Sequence, residues 1–175
     1  MTRLVRAVAI VVVLSAAGCG TTMTPSGTFD AYFEAYAAGD AELLWALSSP
    51  AARADASRVK RELMVGLRSE QADVRTHYEG TFGVTADVID PMDERQFFDW
   101  AVAMIRRRLG PGYVRAFVTR VQRVREETLP DGSVVIVYRA DEGVSRLPLK
   151  RSSDGWQVDQ SPFPQPPSGG APATP

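Results

Sequence analysis

The sequence holds one cysteine and one histidine in 175 residues. Those two shortages remove most thiol and metal chemistry. A single cysteine cannot close an intramolecular disulfide, and there is no His/Cys cluster or loop with calcium-ligand spacing to hold a metal. Neither a Gly-rich phosphate loop nor a Ser-His-Asp set or nucleophile elbow is present. No motif requires a cofactor. No apolar run reaches the roughly 20 residues of a membrane-spanning helix. A surplus of one charge sign is missing as well, with 20 basic and 21 acidic residues giving a net charge of −1. That balance argues against nucleic acid as a partner, because counterion-release binding needs a concentrated basic face.

What is present starts at the N-terminus. Arg3 and Arg6 form a positive segment, Leu4 to Leu14 an apolar run, and Ser15, Ala16, Ala17 and Gly18 lead to Cys19. This is the order of an export signal. Ala16-Ala17-Gly18-Cys19 resembles the lipobox of bacterial lipoproteins, with Ala16 where leucine is usual. The resemblance implies cleavage before Cys19 and attachment of acyl lipid, palmitate among the usual chains, at that residue. The other reading is an ordinary secretory signal with a chance cysteine. Either way the expectation is an exported protein, and with the lipid it is anchored to a membrane of the bacterial envelope, inner or outer. Residues 1–18 are then the signal peptide and 19–27, small and polar, a flexible tether. Residues 164–175 offer nothing more apolar than alanine and read as a disordered Pro/Gly-rich tail. One domain remains, over 28–163.

The first half of that domain carries helical periodicity. Phe29, Tyr32, Phe33, Tyr36 and Ala37 form one stripe ending at Gly39. Asp40 caps a short second helix with Leu43, Leu44 and Leu47, and Ser49-Pro50 opens a long third one. That third helix places Val59, Leu63, Leu67, Val74 and Tyr78 on one face. After a break at 80–83, Asp90-Pro91 opens another helix, with Glu94 available for a capping box. Phe97, Trp100, Ala101, Met104 and Ile105 form its core face, and Arg106, Arg107 and Arg108 complement the negative end of its dipole. Residues 118–128 are strand-like with a slipped register. A bulge accounts for the slip, or else a helical turn running through 113–118. Turns at 130–132, 141–143 and 153–155 then separate Val134–Tyr138, 144–150 and 156–159 into an antiparallel meander. Helices first and antiparallel strands second predict an α+β fold, the helices packed on one face of a curved sheet.

Phe29-Asp-Ala-Tyr-Phe-Glu-Ala-Tyr-Ala-Ala-Gly-Asp40 at the start, Val134-Val-Ile-Val-Tyr-Arg139 in the middle and Gly155-Trp-Gln-Val158 at the end resemble the nuclear-transport-factor-2-like (SnoaL-like) superfamily. The resemblance implies a cystatin-like cone, a curved sheet wrapped around helices with an apolar pocket at the open end. Residues 81–112 exceed the core of that family and stand to cap or fill the pocket. A helical hairpin on a meander without a pocket is the alternative.

Family members that are enzymes use a pocket Asp with His or Tyr as acid–base partner. Here the counterparts are Asp99, between Phe98 and Trp100, and His77, beside Tyr78. Each also reads as a solvated helix residue. Trp100, Tyr113 and Tyr138 are the candidate pocket lining, with the tyrosines equally at home at core edges. The expected function is non-catalytic: a tethered domain that binds an apolar small molecule or an envelope protein. The alternative is a small pocket enzyme, an isomerase or hydrolase, using Asp99 with His77 or a tyrosine.

Overall fold

The computed structural model describes residues 23–140 and 143–162. The segment expected to be a signal peptide, Cys19, most of the expected tether, the turn residues 141–142 and the expected tail lie outside the described residues. Among the described residues seven helices precede four strands, an α+β arrangement. The helices are α1 (Pro25–Ala38), α2 (Ala41–Leu47), α3 (Pro50–Leu67), α4 (Ala72–Phe82), α5 (Ala86–Ile89), α6 (Glu94–Leu109) and α7 (Pro111–Arg120). The strands β1 (Gln122–Thr128), β2 (Val134–Ala140), β3 (Gly143–Ser152) and β4 (Gly155–Val158) pair antiparallel in sequence order.

Local chemistry sets the helix boundaries. Thr24 accepts a hydrogen bond from Gly27 N with Pro25 in the first turn, so α1 starts inside the segment expected to be tether. It ends at Gly39, whose φ of 71° suits a residue without a side chain. Asp40 and Ser49 cap α2 and α3 as their positions predict. The expected long third helix is two. α3 stops at Leu67, and Ser69 Oγ takes up Gln71 N in a short turn before α4 begins. The helix placed at Asp90 starts three residues later: Asp90 closes the one-turn α5, and Asp93 with Gln96 forms the capping box of α6. Gln96 supplies the reciprocal bond because it stands three residues after Asp93, whereas Glu94 falls at the first helical position. Between 113 and 120 the helical alternative holds, and the bulge is real too, between Arg123 and Arg125 of β1.

Helices α1, α2 and α7 pack on the sheet, and α3, α4 and α6 pack beyond them on one another. Val134, Ile136, Leu147, Leu149 and Val158 meet Phe29, Tyr32, Phe33, Leu44, Phe97 and Phe98 in one core. Tyr138 belongs to the same face, its ring 5.6 Å from Phe29 and 5.3 Å from Phe33. Alternation turns Val135 and Val137 to the opposite face. There they pair with Glu127 and Arg125 of β1 and with Pro148 and Arg146 of β3. Both valines are nonetheless buried, lying in register with side chains long enough to cover them. Glu127 accepts from Arg125 Nε at 2.7 Å and from Arg146 Nη2 at 2.5 Å, joining the two flanking strands across β2.

At the other end of the domain Arg106 of α6 donates to the Ala38 carbonyl at the end of α1. Its guanidinium lies where a side chain on Gly39 would be, an ideal Cβ falling 2.2 Å from Nη1. The cation therefore serves the C-terminal dipole of a different helix from the one it belongs to.

Candidate functional site

A cleft of about 480 Å³ lies between α3, α4 and α6. Its size falls within the roughly 300–1,000 Å³ of small-molecule sites. Helical spacing builds each wall. α3 contributes Val59, Glu62 and Leu63, and α4 contributes Tyr78 and Phe82, one turn apart. α6 contributes Phe97, Trp100, Ala101, Met104, Ile105, Arg108 and Leu109, a single stripe running its whole length. Leu63, Phe97 and Ala101 are buried and form the floor. Tyr78, Phe82, Trp100, Met104 and Ile105 are half-buried walls, while Glu62, Arg108 and Leu109 stand at the exposed rim.

The aromatic walls hold each other in place. Phe97 and Trp100 lie 5.5 Å apart at 35°, and Tyr78 and Phe82 lie 5.9 Å apart at 39°. The two rim charges differ in what they meet. Glu62 accepts from Arg58 Nη1 at 2.6 Å. Arg58 also donates to Asp55, at 2.6 Å, and those two hydrogen bonds, Asp55 first, hold its guanidinium above its ordinary pKa. Arg108 makes no ion pair among the described residues. Its guanidinium carbon sits 5.9 Å from the centre of the Phe82 ring, a cation–π distance. The chemistry on offer is an apolar body site with one neutralised carboxylate and one available cation at its edge.

Of the residues singled out in the sequence, Trp100 lines this cleft. Asp99 and His77 each sit one position from a lining residue, Trp100 and Tyr78, and one position on a helix is a turn of about 100°. Asp99 accepts from Arg95 Nε on both carboxylate oxygens, at 3.0 and 3.2 Å. His77 is exposed, with its ring 6.1 Å from that of Tyr78. No hydrogen bond joins Asp99 to His77 among the described residues. Tyr113 is 55% exposed on α7, and Tyr138 is spent on the core, so neither lines the cleft. The physical reason is the extra helix: Tyr113 is not on a strand, and Tyr138 points at the α1 rings. Among the described residues no three His, Cys, Asp or Glu side chains cluster as metal ligands, and no helix is long and apolar enough to cross a membrane.

Sequence reasoning passed over Val59, Leu63, Tyr78, Phe82, Met104, Ile105 and Arg108 as site residues. Val59, Leu63, Tyr78, Met104 and Ile105 lie on stripes that read as core, Phe82 falls in the expected break at 80–83, and Arg108 reads as a complement to the helix dipole. Comparison with protein-family models, with curated proteins and with solved structures finds no match to this chain.

Proposed function

We propose that this protein is a lipid-anchored envelope protein whose domain binds an apolar small molecule in the cleft between α3, α4 and α6. The observation that carries the reading is the cleft itself: two aromatic pairs, Leu63, Met104 and Ile105 enclose a space that the core leaves open. A concave, mostly apolar wall with a few polar groups at its edge is the usual form of a small-molecule site. The anchor rests on Arg3, Arg6, the apolar run and Ala17-Gly18-Cys19. A tether of a few residues would keep the cleft within a short distance of the membrane, where apolar molecules concentrate.

For the fold we propose membership of the nuclear-transport-factor-2-like superfamily, with the sheet as the curved wall of its cone. The order of helices before an antiparallel meander supports that reading. The proposed ligand site is then displaced from the open end of the cone, where the superfamily keeps its pocket. It lies instead against the segment 81–112, which supplies Phe82 and the α6 wall.

Titration of the mature protein with N-phenyl-1-naphthylamine, a neutral apolar fluorophore, tests the cleft. Saturable enhancement is expected, with its loss in Met104→Trp, a substitution that fills the cleft from its half-buried wall. Binding that does not saturate, or that persists unchanged in a folded Met104→Trp protein, would refute it.

A further inference from the structure

The rim of the cleft identifies the head of its ligand. This inference rests on the cleft being an apolar ligand site. We propose that the ligand is a single-chain amphiphile with an anionic head, its chain between the aromatic walls and its head on Arg108.

Three neighbouring arginines end α6, and they are not equivalent. Arg106 is committed to the Ala38 carbonyl, and Arg107 does not line the cleft. Arg108 alone of the three reaches it, and it meets no carboxylate among the described residues. The Phe82 ring beneath its guanidinium carbon fixes the group over the apolar wall. The guanidinium carries five N–H donors, and no carboxylate takes them up among the described residues, so they are available to an anion at the mouth. Across the rim, Glu62 is held by Arg58, which it shares with Asp55. The charge left without a partner at the mouth is therefore the Arg108 cation. Below the rim the lining side chains carry no charge, the Tyr78 hydroxyl, the Trp100 indole N–H and the Met104 sulfur being their only heteroatoms, so a charged group is accommodated at the edge and nowhere deeper. An amphiphile with one charge at one end matches that distribution. A cationic or doubly charged molecule does not.

Displacement of N-phenyl-1-naphthylamine from the mature protein by dodecanoate and by dodecan-1-ol, below their aggregation limits, separates the head from the chain. Dodecanoate should displace the probe at about a fifth of the alcohol's concentration, the worth of one partly exposed ion pair at an apolar wall. Raised salt should narrow that gap. Arg108→Gln should abolish it by weakening displacement by dodecanoate far more than displacement by the alcohol. Equal displacement by both molecules in the wild type, with the probe still binding saturably, overturns the anionic head and leaves the apolar site standing. Loss of alcohol binding along with dodecanoate binding in Arg108→Gln also overturns it, since the side chain would then act through its stem. Absence of displaceable probe binding overturns both readings together.

Discussion

The ring of Tyr78 lies on the bare backbone of Gly66: a Cβ built on that glycine would fall 2.2 Å from Tyr78 Cε1. α3 and α4 approach this closely one residue before α3 ends at Leu67, and the approach fixes the wall that Tyr78 and Phe82 present to the cleft. Glycine in a helix interior costs about 0.5–1 kcal/mol relative to alanine, so propensity alone would make Gly66→Ala stabilising. Contact decides otherwise. A flat ring with packed neighbours cannot retreat by more than an ångström without disturbing α4. Gly66→Ala is expected to lose about 1–3 kcal/mol in urea melts and to weaken probe binding. In a Tyr78→Ala background the same change should become stabilising. A stabilised single variant would show that the ring yields freely.

Thr28 supplies a second test. It is completely buried in α1, and its Oγ1 has no hydrogen-bond partner among the described residues. A buried hydroxyl without a partner keeps its desolvation cost, about 1–3 kcal/mol, and gains nothing in return. Valine has the same shape and the same branched Cβ. Thr28→Val should therefore raise the urea midpoint at unchanged slope, by about 1 kcal/mol. A clear loss of stability would mean that the hydroxyl finds a partner in solution.

How far the sequence could be read is visible in individual residues. Asp40, Ser49-Pro50 and the turn at 130–132 act locally, and their expected roles hold. The break between α3 and α4 was hidden because Val74 and Tyr78 continue the period of Leu63 and Leu67 closely enough to suggest one helix. Glycine 66 carries the missing information: it marks a close approach, which only the tertiary arrangement reveals. Val135 and Val137 show a different limit. Four consecutive apolar residues make both faces of β2 apolar, but not visible in them is that the register partners on one face are Arg125, Glu127, Pro148 and Arg146, with Glu127 holding both arginines. The cleft stripe on α6 has the same spacing whether a wall faces core or an open space. Periodicity gives a side chain's direction and says nothing of how much matter stands opposite it.

That arginine cover predicts a pH dependence. Hydrogen bonds from Arg125, then Arg146, hold the Glu127 carboxyl below its ordinary value of 4.5. A carboxyl with a depressed folded pKa adds stability that is complete above the unfolded value and fades as pH falls through the folded one. The stability difference between wild type and Glu127→Gln should accordingly be constant above about pH 5 and shrink toward zero in acid. A difference that grew on acidification would contradict the assignment. Removing the carboxylate should also loosen the arginines over Val135 and Val137, read as faster amide exchange in β1.

Anchoring is tested separately from the fold. Acyl chains contribute about 0.8 kcal/mol per buried methylene, and two chains make membrane association effectively permanent. Cys19→Ser should leave a precursor-sized or differently cleaved species without lipid, released from the membrane fraction on cell breakage if it is cleaved. Identical processing and fractionation would remove the lipoprotein reading and leave the cleft untouched.

Two aromatic residues of α6, two positions apart, separate structure from binding. Phe98 is fully buried, its ring 5.1 Å edge-on to Trp45. Trp45 in turn lies 5.1 Å from the Arg53 guanidinium and 5.2 Å from that of Arg95. Trp100 is half-buried with one side against Phe97 and the other on the cleft. Truncating Phe98 to alanine leaves a cavity under the helix layer and should cost about 3–5 kcal/mol. Truncating Trp100 enlarges a space that is already open, so the loss should be smaller, on the order of 1–2 kcal/mol from its contact with Phe97 and its partial burial. Binding should follow the reverse order. Trp100→Ala removes a wall and should abolish saturable probe binding in a protein that remains folded, whereas Phe98→Ala should reduce binding only in proportion to the fraction unfolded. Urea melts paired with probe titrations on the same two variants read both quantities. If Trp100→Ala proved as destabilising as Phe98→Ala, the cleft would be closed core in solution, and the stripe on α6 would have no ligand to meet.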